Sequence, residues 1–317
     1  MKKKLLIAIL ILLIIFLISI VWVLNNPEKT QTNSNRSAHE ESIPKDTILK
    51  ENEPNPDEEE PSQEEETTTH TEIVTEDLKE FIIDSVREAI DFFFNKELKI
   101  VAIGDSLTQG VGDRTNQGGY VGILDQTINE SKSIVQFENY GKRGNRSNQL
   151  LKRIDEEDEI QDSIAKADII LITIGANDIM QVAKENITNL TFEAFEEERV
   201  EYEKRLKEIF NKITEINPDI RIYLLGFYNP FNKYFEDIKE LNMIVGNWNN
   251  TGRNVVQSFE NGHFIPTDDL FQVEDVHLLA EDNFHPNYLG YQRIAERVLN
   301  YLTEQVGEIS EQTEDRN

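Results

Sequence analysis

The chain has 317 residues, a net charge of −28 and no cysteine. The missing cysteines exclude disulfides, thiolate-held zinc and a thiol nucleophile. The acidity argues against nucleic acid as a partner, because phosphates demand clusters of Lys and Arg.

Lys2, Lys3 and Lys4 precede residues 5–24, twenty positions without a charge. As a helix rising about 1.5 Å per residue, that run spans about 30 Å, the hydrocarbon thickness of a bilayer. A cleavable leader has a shorter apolar region, roughly 7–15 residues, and ends in an A-x-A-like site. Nothing after Leu24 supplies one. The pattern therefore favours an uncleaved transmembrane anchor over 1–25. The three lysines hold the N-terminus in the cytoplasm and put the remainder on the extracytoplasmic side of the cell membrane.

Residues 26–74 are rich in Asn, Thr, Ser, Glu and Pro, and 51–66 alone hold nine carboxylates, three prolines and no Lys or Arg. Such a segment cannot bury enough apolar surface to offset the entropy of ordering it, so a disordered acidic spacer is expected. Folded structure is expected over 75–305, with 306–317 as a flexible tail. Thr75 caps a helix whose stripe is Leu78, Phe81, Ile82, Val86, Ile90 and Phe93.

From residue 98 the pattern changes. Short apolar runs at 99–103, 134–139, 168–174, 221–225 and 264–267 alternate with helical patterns near 119–131, 147–166, 195–216, 234–260 and 288–304. The runs show little polar alternation, as in a parallel sheet covered on both faces. Strand and helix in alternation predict a three-layer α/β domain with right-handed crossovers.

In such a sheet, functional groups gather at the carboxyl ends of the strands. Polar, Gly-rich segments follow the apolar runs: Gly104-Asp105-Ser106-Leu107, Gly141-Lys142-Arg143-Gly144, Gly175-Ala176-Asn177-Asp178 and Asp282-Asn283-Phe284-His285. Ser106 is a candidate nucleophile, which needs an adjacent base. His285 can supply it, with Asp282 three residues earlier placed to hold the ring in one tautomer. The backbone N–H groups of Ser106 and Gly144 and the Asn177 amide can meet a developing oxyanion. Taken singly, each also has a plain structural role. Ser106 could be a helix N-cap, Asn177 an Asx turn, Gly144 a positive-φ glycine and His285 part of a surface turn. His39 and His70 fall in the spacer, and His263 and His277 lack a companion motif.

The four blocks in this order resemble the signature blocks of the SGNH hydrolases, also called GDSL lipases and esterases. The resemblance covers about 98–304. It implies a flavodoxin-like three-layer α/β/α fold with a five-stranded parallel sheet in the order 2-1-3-4-5. It also implies the roles: Ser106 as nucleophile, His285 as base and Asp282 as its orienting acid. Ser106, Gly144 and Asn177 match the oxyanion hole. Asp105 and Asp178 match positions read as structural, bonding loop backbone. The Gly-x-Ser-x-Gly elbow of the α/β-hydrolases is absent.

The implied activity is hydrolysis of lipid or carbohydrate esters outside the cytoplasm, with no metal or organic cofactor and a monomer as the default state. Partners are the ester substrate and the membrane. Lysophospholipids, other lipid esters and acetyl groups on wall glycans all remain open as substrates. The aromatic stretch Leu225-Gly226-Phe227-Tyr228-Asn229-Pro230-Phe231 is a candidate acyl wall, or simply strand–helix packing. Arg143 and Arg146 flank Gly144 as solvated charges or as contacts for an anionic substrate. Two rivals compete. One is a non-catalytic wall- or partner-binding module on the same fold. The other is phosphoryl transfer, with Asp105 as acceptor and Asp178 and Asp282 holding Mg²⁺.

Overall fold

Five strands form the centre: β1 (Leu98–Gly104), β2 (Val135–Gly141), β3 (Ile169–Thr173), β4 (Arg221–Leu225) and β5 (Gly262–Ile265). The computed structural model describes residues 98–314, except 131, 187, 190, 230–238 and 273–276. All strand pairs are parallel, and the order is β2-β1-β3-β4-β5, the order implied by the resemblance. The apolar segment 5–24, the acidic spacer and the helix expected from Thr75 lie outside the described residues. Among the described residues no helix is long and apolar enough to cross a membrane.

Successive strand side chains point to opposite faces, and both faces are apolar. Val101 and Ile103 of β1, Ile170 and Ile172 of β3, and Ile222 and Leu224 of β4 share one buried cluster. Helices α3 (Ser147–Glu156), α4 (Asp158–Lys166), α5 (Ala176–Glu185), α6 (Phe192–Ile216) and α7 (Lys239–Val256) contribute to that face. Ile100 and Ala102, Ile169 and Leu171, and Tyr223 and Leu225 belong to the other cluster. There α2 (Gly119–Asn129) and α8 (Tyr288–Glu314) supply Tyr120, Leu124, Tyr291, Ile294 and Val298. The three layers follow from central strands that are apolar on both faces, since each must then be covered twice.

Several elements differ from the sequence pattern. The helical stretch 147–166 is two helices, because Glu157 is extended at φ −100 and ψ 98. Gln161 Nε2 donates to the carbonyls of Ile154 and Asp155 at 2.9 Å each, satisfying the C-terminal groups that the break exposes. Strand β5 starts two residues early, at Gly262, and ends at Ile265 because Pro266 has no N–H to continue the ladder. Residues 176–185, outside the helical patterns of the sequence, form α5. Helix α8 continues to Glu314, so most of the expected 306–317 tail is helical. Propagation is cheap once a helix is nucleated on a core, and the Glu- and Gln-rich end contains no proline to stop it.

Candidate active site

Strand β1 ends at Gly104, whose φ of 143° is a left-handed value that suits glycine. A Cβ there would stand 2.1 Å from the Thr173 carbonyl oxygen. The close approach lets the chain turn at once into α1 (Ser106–Gln109). The helix cap is Asp105, not Ser106: its carboxylate accepts from the Leu107 N–H at 3.0 Å. Ser106 is thereby freed from capping and presents its hydroxyl at the sheet rim.

A buried chain of hydroxyls supports this turn. Thr173 Oγ1 donates to Asp105 Oδ1 at 2.8 Å. Thr108 Oγ1 lies 2.7 Å from Thr173 Oγ1, and Tyr120 Oη 3.2 Å from Thr108 Oγ1. With the Thr173 proton committed to Asp105, the donors run from Tyr120 through Thr108 and Thr173 to the carboxylate. Burial pushes the Asp105 pKa up to about 6, although the Thr173 and Leu107 hydrogen bonds pull against it.

His285 arrives from the far end of the chain, 179 residues after Ser106. A narrow hairpin presents it. Leu279 and Pro286 form an antiparallel bridge, Ala280 N–H donates to the His285 carbonyl at 2.7 Å, and Asn283 turns the chain at φ 52. Asn is among the residues that tolerate this conformation. His285 Nε2 stands 2.9 Å from Ser106 Oγ, and His285 Nδ1 stands 2.6 Å from Asp282 Oδ2. Asp282 Oδ1 accepts from the N–H groups of Phe284 and His285 at 3.0 and 2.9 Å. Burial alone would raise the Asp282 pKa. The His285 ring and the two backbone donors outweigh it and hold the carboxyl at about 2. Asp282 is thus ionised across neutral pH and fixes the His285 proton on Nδ1, leaving Nε2 as the acceptor that faces Ser106. His285 is 7% exposed, so it is no surface turn.

The loop after β2 is tied to the Ser106 turn. Lys142 N–H donates to the Gly104 carbonyl at 3.0 Å, and Arg143 N–H to Gln109 Oε1 at 2.6 Å. Between that loop and α3, Gly144 has φ 75, and a Cβ on it would meet nothing within 4 Å. Among the described residues, no acceptor is paired with the N–H of Ser106 or of Gly144. Asn177, in the first turn of α5, uses Nδ2 to reach the Asn145 carbonyl at 3.1 Å. That bond locks the amide in place and leaves its second N–H available. Asp178 is 2% exposed. It accepts from Ser147 N–H at 3.0 Å, Ser147 Oγ at 2.6 Å and Arg205 at 3.3 Å. Burial raises its pKa against those donors. Asp105 and Asp178 are structural, as read from the sequence, but the backbone they bond is the first turn of α1 and of α3 and not loop, and their oxygens already serve internal donors.

A family model described as GDSL-like Lipase/Acylhydrolase matches residues 102–293, from inside β1 to inside α8. The chain belongs to this family. Among similar proteins, the uncharacterized YpmR of Bacillus subtilis is 36% identical over 207 residues, covering 64% of this chain and 80% of YpmR. The spore germination lipase LipC of Bacillus licheniformis is 28% identical over 218 residues, covering 63% of this chain and 94% of LipC. The crystal structure of the lipase Lip_vut3 from a goat rumen metagenome aligns at a TM-score of 0.56 with 26% identity. That alignment covers 63% of this chain and 95% of Lip_vut3. The GDSL assignment makes the general chemistry that of lipases and esterases.

Two groups have a role at the site that the sequence does not announce. Tyr228 donates its hydroxyl to the Phe284 carbonyl at 2.7 Å and stacks on Phe271 with ring centres 3.8 Å apart, bracing the hairpin beside His285. Gly112 packs against the same hairpin, since a Cβ on it would lie 3.0 Å from His285 Cβ. The sequence places Tyr228 in a candidate acyl wall but carries no signal for its bond to Phe284, and Gly112 reads as an ordinary loop glycine. Arg146 is the residue preceding α3, with its N–H donating to Gln149 Oε1 at 3.0 Å.

Proposed function

We propose that this protein is a serine ester hydrolase working through Ser106, His285 and Asp282. The observation that carries the reading is the unbroken line from Asp282 through His285 to the Ser106 hydroxyl, with 2.6 Å and 2.9 Å contacts. His285 Nε2 takes the Ser106 proton as Oγ attacks the ester carbonyl carbon. The Ser106 and Gly144 N–H groups and Asn177 Nδ2 receive the oxyanion. The bond to the alcohol oxygen breaks, His285 returns the proton to that oxygen, and the alcohol leaves. Water then attacks the acyl-enzyme by the same route and releases the acid.

An aliphatic acyl group fits the surroundings. An apolar cleft borders the site, and its wall includes Leu107, Ala176 and Phe284, each next in sequence to Ser106, Asn177 or His285. Phe227 and Ile179 extend it, which gives the aromatic stretch after β4 an acyl-binding role. Among the described residues the cleft has no charged wall, which favours hydrocarbon over a sugar ring. The names of LipC and Lip_vut3, both lipases, agree with lipid esters. The lysine-flanked apolar segment 5–24 supports a membrane anchor, with the hydrolase on the extracytoplasmic side.

The test is a p-nitrophenyl ester series of increasing acyl length, run on the wild type and on Ser106→Ala. The wild type should prefer acyl groups longer than acetyl, and Ser106→Ala should lose turnover and fluorophosphonate labelling with an unchanged circular dichroism spectrum. Retained turnover in Ser106→Ala would refute the mechanism; a strict acetyl preference would refute the acyl assignment.

A further inference from the structure

A second groove adjoins the proposed oxyanion site from the other side of β1. Its walls include Lys142, Arg143, Gly144, Lys152 and Arg153. In a chain of net charge −28, four cations around one groove are unusual company. Two carboxylates share the groove, Glu156 and Glu157, and each already has a cation. Glu157 pairs with Arg153 Nε at 3.0 Å, and Glu156 with Lys152 at 3.7 Å. Arg153 is further locked by its Nη1 on the Tyr140 carbonyl at 3.0 Å. Lys142 and Arg143 are exposed, and among the described residues no carboxylate pairs with either. The uncompensated charge therefore sits at the two residues immediately before Gly144, with open space over Gly144 itself.

The topology sets this groove against the apolar cleft. The Lys142–Arg143 loop leaves β2, on one side of β1, whereas Ala176 and Phe227 follow β3 and β4 on the other. Ser106, at the end of β1, lies between them. An ester held at Ser106 with its acyl chain in the cleft can extend its alcohol half towards Lys142 and Arg143. We infer that the substrate is an acyl ester whose alcohol half carries a phosphate, held by Lys142 and Arg143. The inference rests on the esterase reading above. Phosphate suits the site because a lysine and an arginine side by side offer a point charge and a planar fork to the same anion. The two cations also raise the local concentration of anionic substrate.

The comparison that tests this uses 1-lauroylglycerol 3-phosphate and 1-lauroylglycerol, which share an acyl group and differ in the phosphate. Wild-type kcat/KM should favour the phosphate ester by about tenfold or more, a ratio that falls as ionic strength rises. In Lys142→Glu/Arg143→Glu the ratio should collapse towards one or below, mainly through KM. Equal kcat/KM for the two esters in the wild type, or the same ratio in the double variant, would overturn the inference. Butyrylglycerol 3-phosphate in solution and lysophosphatidylglycerol in vesicles separate a soluble phosphate ester from a lipid headgroup as the source. Calorimetric titration of Ser106→Ala with glycerol 3-phosphate reads the groove without turnover. Binding that the two charge reversals abolish supports the groove even if the wild type cleaves no ester, in which case only the esterase reading falls. Absence of binding overturns the groove even if p-nitrophenyl esters are cleaved.

Discussion

Asp105 is a buried carboxylate one residue before the proposed nucleophile, and its replacement by Asn separates charge from shape. Its pKa rises from the ordinary 3.8 to about 6 because the site is desolvated. The folded state therefore holds a proton more tightly than the unfolded chain. The stability this contributes is complete below pH 3.8 and is lost as the pH rises through about 6. The gap corresponds to ~3 kcal/mol at ~1.4 kcal/mol per pH unit. Asn keeps an oxygen to accept from the Leu107 N–H and the Thr173 hydroxyl, at 3.0 and 2.8 Å in the native site. It also brings an amide NH₂ to a place 3% exposed, a constant penalty of about 1–3 kcal/mol if unpaired. That penalty does not vary with pH, so the informative quantity is the difference between variant and wild type. Asp105→Asn should gain ~3 kcal/mol on the wild type between pH 3.5 and pH 7, whatever the offset. Urea unfolding followed by the fluorescence of Trp248, which is fully buried, measures both proteins across that range. Parallel stability curves for the two would show that Asp105 does not titrate as a desolvated acid.

Three further outcomes follow from the site. Asn177→Ala removes one oxyanion donor and should lower kcat by about 10²–10³ with KM little changed, measured on a p-nitrophenyl ester. The same loss in KM alone would mean that Asn177 binds the ground state instead. Tyr228→Phe deletes the hydrogen bond that the Phe284 carbonyl accepts next to His285. Stability should fall by about 1–3 kcal/mol and kcat with it, while the ring stack on Phe271 persists; denaturant midpoints and kinetics report the two effects separately. Gly104→Ala forces a Cβ to 2.1 Å from the Thr173 oxygen at a positive φ, so little soluble protein should be recovered. Wild-type yield and melting temperature in that variant would contradict the turn geometry.

Much of the fold lies in local pattern. Strands with no polar alternation require two covering layers, and the runs around Ile100, Ile170 and Ile222 show it without any coordinates. The Asp282-x-x-His285 spacing already placed a carboxylate within reach of the imidazole, because three residues in a tight turn are close by connectivity alone. The elements that escaped were those whose signal is weak or shared. Helix α5 hides behind the polar Asn177-Asp178 start, although Ile179, Val182 and Ala183 keep helical spacing. The break at Glu157 depends on Gln161 folding back to take two carbonyls, a contact that no periodicity announces.

Whether the pieces meet is a different matter, and it belongs to the tertiary structure. Composition and motif order select a parallel α/β sheet and nominate Ser106, Gly144, Asn177, Asp282 and His285, since turn glycines and strand ends are local properties. The 2.9 Å contact between Ser106 and His285 joins residues 179 apart, and the Tyr228 brace spans 56. That no described carboxylate pairs with Lys142 or Arg143 emerges only once Glu156 and Glu157 are seen to be taken. Distances of this kind arise when a buried sheet brings remote strand ends to one rim, and pairing across such separations leaves no imprint on neighbouring residues.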